Sequence, residues 1–173
     1  MRKIFLVAVV LLYCGFLNAR EYKYQGEVSA GLGIGGMASV SRIPLHTVHG
    51  VRLNENFFVG AGSGIDIFHQ SGGYPDNPGF SATIVPVFTN IKGYLPVSGK
   101  VSLLAALDLG YGIGSGDFSG EGGLYVYPQV GCSIKIIRRY ALDFTAGYHS
   151  QFISGYGYSS NFGAIGLKVA FAW

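Results

Sequence analysis

From Gly163 to Trp173 the chain alternates without a break. Gly163, Ile165, Leu167, Val169, Phe171 and Trp173 share one parity, and Ala164, Gly166, Lys168, Ala170 and Ala172 share the other. Successive side chains of a strand point to opposite faces, so the segment reads as a strand with one apolar face and one small or polar face. The same two-residue period recurs upstream. Over Glu21–Gly36, Tyr22, Tyr24, Val28, Ala30, Leu32 and Ile34 oppose Lys23, Gln25, Glu27, Ser29, Gly31 and Gly33. Over Phe57–Phe68, Phe57, Val59, Ala61, Ile65 and Ile67 oppose Gly60, Gly62, Gly64 and Asp66. Val101–Gly114, Leu124–Ile136 and Tyr140–Phe152 repeat the pattern, with Leu103, Leu107, Val130, Cys132, Phe144 and Tyr148 among the apolar positions. Ser41–Leu53 and Phe80–Leu95 alternate less cleanly and bring the count to eight strands. In Phe80–Leu95 the reading puts Ile84, Pro86 and Phe88 outward and Ser81, Thr83 and Thr89 inward.

Composition decides what kind of sheet this is. Glycine supplies 28 of the 173 residues, and each would cost about 1 kcal/mol in a helix interior. After residue 20 no apolar run approaches the roughly 18 residues of a transmembrane helix. Only 12% of residues are charged, about half the usual share. A soluble barrel would carry charges outside and keep its apolar side chains within. Here the apolar face is continuous and aromatic, while the other holds Gly, Ser, Thr, Ala and isolated charges. That distribution fits apolar side chains on lipid and polar ones in a lumen. An open sheet edge in hydrocarbon would leave backbone groups unpaired, so the sheet has to close. The expected fold is all-β: a closed eight-stranded antiparallel up-and-down transmembrane β-barrel over residues 20–173.

Residues 1–19 read as a secretory signal peptide, with Arg2 and Lys3, an apolar Ile4–Phe16, and Leu17-Asn18-Ala19 before the cleavage site. Cys14 follows Tyr13, where a lipobox would hold Gly or Ala, so lipidation is not expected. Removing the leader leaves 10 basic against 9 acidic side chains, a balance that argues against nucleic acid as a partner. It also leaves Cys132 alone, with no disulfide and no zinc site in prospect. No metal or other cofactor is expected.

The connections fall into two kinds. Asn54-Glu55-Asn56, Pro96–Lys100 and Ile137-Arg138-Arg139 are tight, whereas Gly35–Val40, His69–Gly79, Ser115–Gly123 and Ile153–Ser160 are longer and rich in glycine. Short turns at one end and longer loops at the other match the periplasmic and extracellular ends of an outer-membrane barrel. Tyr22, Tyr24, Tyr94, Phe171 and Trp173 are then expected in an inner aromatic girdle, and Phe68, Tyr111, Tyr148 and Phe162 near an outer one.

This pattern, ending on Phe171-Ala172-Trp173, resembles the small outer-membrane β-barrel proteins of the OmpX and OmpA-barrel type. Pro86-Val87-Phe88-Thr89-Asn90-Ile91-Lys92-Gly93-Tyr94 is similar to the fourth strand of porin-family outer-membrane barrel domains. The resemblance implies a Gram-negative outer membrane, contact with its lipid and lipopolysaccharide, and assembly by the barrel assembly machinery. Ile165, Leu167, Val169, Phe171 and Trp173 match the signal which that machinery reads.

Function is sought in the lumen and the loops. Eight strands leave room only for side chains, so inward charges should meet opposite charges. Hairpin pairing suggests Lys135 opposite Asp143, and Trp173 opposite Tyr22 would set Lys168 against Glu27. Arg42, His46, Asp66, Asp108, His149 and Gln151 complete the expected polar network. Small residues such as Gly60 and Gly62 would leave space for large side chains across a narrow lumen. The loops offer Tyr74, Asp76, Asp117, Phe118, Glu121, Tyr156 and Tyr158 to an extracellular protein or glycan, while Arg52, Lys100, Arg138 and Arg139 sit at the turns. Lipid A deacylases of the PagL type use a His and a Ser two residues apart on the outer surface. Here His149 and Ser150 are adjacent, and alternation sends them to opposite faces. A structural or surface-interaction protein, with neither catalysis nor an open pore, is therefore the expected function. A lipid A-modifying hydrolase or acyltransferase and a narrow channel are the alternatives.

Overall fold

The computed structural model describes residues 22–35, 40–70, 80–116, 121–155 and 158–173. The expected leader, and Tyr74, Asp76, Asp117, Phe118 and Tyr156 of the loops, lie outside them. Eight strands follow in order: β1 (Lys23–Gly35), β2 (Val40–Arg52), β3 (Phe57–Gln70), β4 (Phe80–Pro96), β5 (Val101–Gly116), β6 (Gly122–Ile137), β7 (Tyr140–Gly155) and β8 (Tyr158–Ala172). Each pairs antiparallel with the next, and β8 returns to β1 to close the barrel. The closed ring gives every strand two neighbours, which is what a spanning sheet needs in the absence of water. Residues 53–56, 97–100 and 138–139 turn the chain at one end. In the first of these the Asn56 amide donates to Asn54 Oδ1 at 2.8 Å, an Asx turn that fixes the hairpin.

The outside is apolar. Leu32, Ile34, Val130, Ile165 and Leu167 are each more than 60% exposed, a surface suited to hydrocarbon and costly in water. The inside is packed around Val48, Phe58, Phe88, Tyr94, Leu104, Tyr125 and Tyr127. Phe88 stacks on Tyr125 with ring centroids 5.3 Å apart. Glycine makes this possible at two close approaches. A Cβ on Gly62 would stand 2.6 Å from the Phe88 ring, and one on Gly166 would stand 2.7 Å from the Tyr127 hydroxyl.

The face of β4 is the reverse of the sequence expectation. Ile84, Pro86 and Phe88 point inward with Asn90, Lys92 and Tyr94, while Thr83, Val87 and Thr89 take the outer side. The side chain of Ser81 lies outside the described set. Lys92 decides the matter, because a lysine on the lipid face finds no partner and costs up to about 2–4 kcal/mol, most at the bilayer midplane, whereas in the lumen it meets Glu27 and Asp143. A threonine hydroxyl can instead turn back on its own backbone. The same reversal removes Tyr94 from the inner girdle and buries it at 5% exposure. Phe68 also leaves the outer girdle, since it shares the parity of Asp66 and lies beneath the Arg42 guanidinium at 5.0 Å. Phe162 faces it inside at 6.2 Å. Tyr22, Tyr24, Phe171 and Trp173 remain on the outer surface at the turn end, and Tyr111 and Tyr148 on the outer surface elsewhere.

Two registers differ as well. At the closing seam Trp173 exchanges backbone hydrogen bonds with Gly26, so Lys168 stands opposite Gly31 and Glu27 opposite Ala172. This shift of four residues from the expected pairing keeps every face and changes every partner. In the β6–β7 hairpin Ile137 faces Tyr140, yet Lys135 faces Ala141 and Ser133 faces Asp143. The hairpin turns between Arg138 and Arg139, and Ile136 is the extra residue of a bulge; each shifts the register by one residue, and together they move Lys135 away from Asp143.

Candidate functional site

Alternation delivers the inward charges, and the barrel's curvature gathers them into three clusters. Nearest the loop end, Arg42 donates to Asp66 and His149, and His46 Nε2 lies 2.9 Å from Asp66 Oδ1. The guanidinium also lies 5.6 Å from the Tyr125 ring centroid, so aromatic rings flank it while its two terminal nitrogens meet polar groups. In the middle, Asp108 accepts from Asn90, from Gln129 Nε2 at 2.8 Å and from Lys168 Nζ at 3.4 Å. Thr145 Oγ1 donates to Gln129 Oε1 at 3.1 Å and extends this cluster to β7. Toward the turns, Lys92 bridges Glu27 and Asp143, the latter at 2.9 Å.

The inward residues Glu27, Arg42, His46, Asp66, Asp108, Asp143, His149, Gln151 and Lys168 are thus all buried in the lumen. The pairings are not those expected. Lys168 meets Asp108 instead of Glu27, and Asp143 meets Lys92 instead of Lys135. Lys135 is exposed and belongs to no cluster, because the bulge at Ile136 carries it to the rim. Gln151 donates to the backbone carbonyls of Gly123 and Phe152. Lys92, Asn90, Gln129 and Thr145 are the members missed in the sequence. Asn90 and Lys92 stand two residues apart on one parity, and that pair of strongly polar groups was the available signal for the inner face of β4.

At the loop end, Glu121 is buried at 9% exposure and its carbonyl accepts from the Gly114 amide at 2.8 Å. It therefore forms part of the barrel rim. Tyr158 opens β8. On the outer wall, Ile165, Leu167, Val169, Phe171 and Trp173 line up along β8. His149 and Ser150 do point to opposite faces: His149 lies among Tyr125 and Tyr127, and Ser150 Oγ donates to Asn161 Oδ1 outside.

A second hydroxyl and imidazole meet on the outer wall, where no neighbouring Ser or Asp marks the histidine in the sequence. Thr47 and His49, two residues apart on the outer face of β2, are joined by a 3.0 Å contact between Oγ1 and Nε2. Tyr24 Oη lies 2.7 Å from His49 Nδ1, and Thr47 Oγ1 donates to the Glu27 carbonyl at 3.1 Å. With the threonine proton on Glu27, Nε2 is left as the donor to Thr47 and Nδ1 accepts from Tyr24. In that arrangement the imidazole cannot withdraw the threonine proton, and the chain acts as a clasp between β1 and β2.

These features define a small closed barrel with a lipid-type exterior and a filled, ionic lumen. Among solved structures, the N-terminal β-barrel domain of Pseudomonas aeruginosa OprF is similar with a TM-score of 0.50 and 13% identity, over 88% of this chain and 100% of that one. Neisserial surface protein A is similar with a TM-score of 0.56 and 12% identity, over 87% of this chain and 95% of that one. The chain has the fold of these small eight-stranded outer-membrane barrels. No family model matches it, and no curated protein does.

Proposed function

We propose that the protein sits in the outer membrane of a Gram-negative bacterium, turns toward the periplasm, and serves as a structural or surface-contact barrel without an open pore. The observation that carries this reading is the filled lumen: Phe58, Phe88, Tyr125 and Tyr127 are at most 3% exposed, and the ion clusters occupy the space between them. A solute path would require displacing buried ion pairs. Specificity then belongs to the loops, whose Tyr74, Asp76, Asp117, Phe118 and Tyr156 offer aromatic and acidic groups to an extracellular protein or glycan. Lipid and lipopolysaccharide surround the wall, and the outer face of β8 is what the barrel assembly machinery would engage.

Three readouts test this. In planar bilayers the protein is expected to give no discrete conductance steps, and regular steps would contradict the filled lumen. Cells producing it should show an unchanged lipid mass spectrum. Loss of acyl chains that disappears in Thr47→Val would instead make the Thr47–His49 pair catalytic. Replacing Tyr74, Phe118 or Tyr156 with Ala should reduce adhesion to host glycans or proteins, or sensitise the envelope to detergent, without changing the amount of folded barrel.

A further inference from the structure

At the turn end an open cavity of about 820 Å³ enters the barrel, far from the loops to which the proposed function assigns contacts. Lys23, Arg52, Lys135, Arg138 and Arg139 all line it, and its acidic lining residue is the buried Asp143. That carboxylate is already bound to Lys92 at 2.9 Å, in a cluster of one ammonium and two carboxylates. Among the described residues, the side chains of Lys135, Arg138 and Arg139 make no hydrogen bond or ion pair. The tight turns contribute one acid, Glu55, whose backbone carbonyl takes a hydrogen bond from Arg52 at 2.9 Å.

Like charges gathered round a concavity focus a positive potential into it. Arg52 is held in place by Gln25 Oε1 at 3.3 Å and by the Tyr94 ring at 4.3 Å, with guanidinium protons to spare. Guanidinium groups present paired N–H donors that match the oxygens of a phosphate, and several cations together suit a group carrying more than one negative charge. The cavity also lies within the size range of small-ligand sites, roughly 300–1,000 Å³. We propose that this vestibule binds a phosphate-bearing anion. A soluble phosphate ester and the headgroup of an anionic phospholipid share that chemistry. The outward Tyr24, Phe171 and Trp173 at the same end set the cavity beside the depth where headgroups lie.

Trp173 is the one tryptophan of the chain and lines the cavity, which gives a built-in reporter. The full barrel in maltoside micelles is titrated with pyrophosphate at constant ionic strength, following Trp173 emission and calorimetric heat. One saturable site is expected. R138Q/R139Q should weaken it at least tenfold, and K135Q alone should weaken it several-fold. K100Q, which alters a turn cation outside the cavity, should leave it unchanged. The heat-modifiable gel shift certifies each variant as folded, and K135Q decides if the double variant does not fold. Absence of saturation, an equal response to chloride, or equal losses in K135Q and K100Q would overturn the proposal. The source of the phosphate is then read in nanodiscs. Competition by phosphatidylglycerol against pyrophosphate assigns the site to a lipid headgroup, and unchanged affinity assigns it to a soluble anion.

Discussion

Lys92→Met is expected to lower the unfolding free energy by about 3–5 kcal/mol, the usual cost of leaving buried charge without its partner. Glu27 and Asp143 would then face each other with no cation between them. Glu27 Oε1 and Asp143 Oδ1 already lack a hydrogen-bonding partner, so the ammonium is the group that holds the pair together. Urea titration of the barrel refolded in phospholipid vesicles, followed by Trp173 fluorescence, measures the loss. Combining Lys92→Met with Glu27→Gln and Asp143→Asn should recover most of it, because that triple change removes the charges instead of stranding them. A Lys92→Met protein as stable as the parent would show that Lys92 does not reach the lumen.

Phe88→Ala carries the second large effect, about 3–5 kcal/mol, through the cavity it would leave against Tyr125, His46 and the Gly62 backbone. Its neighbour Val87 is half exposed on the outer wall, where lipid can fill the space after truncation. Val87→Ala should therefore cost a small fraction of Phe88→Ala in the same urea titration. The reverse ranking would restore the outward placement of Phe88 that the sequence suggested.

The number of strands, the sense of their pairing and the two faces of most of them were legible because alternation is a local signal, visible wherever apolar residues dominate one parity. β4 was not legible in this way. Its inner face carries Ile84, Pro86 and Phe88 as well as Asn90, Lys92 and Tyr94, so hydrophobicity alone cannot orient it. The cost of placing Lys92 on lipid does orient it, a criterion that depends on one residue instead of a pattern. Partners inside the lumen were harder still. A slip of any even number of residues preserves the faces, so Glu27 and Lys168 stayed inward while the seam moved each to a new neighbour. The bulge at Ile136 adds one residue that no periodicity marks, and with a turn centred between Arg138 and Arg139 it separates Lys135 from Asp143. Three-dimensional closure also brings Lys92 of β4 to Glu27 of β1 and Asp143 of β7, across the lumen from strands that are not its neighbours. Antiparallel pairing rules cannot reach such a contact.

The central claim is a closed barrel whose outer face meets lipid. Fractionating producing cells and running the purified protein on a semi-native gel, heated and unheated, tests it most directly. Recovery with the outer membrane and a band that moves on heating are the expected results, because a closed barrel resists detergent until its strands separate. Recovery in the soluble fraction with one mobility before and after heating would contradict the account and turn the barrel inside out.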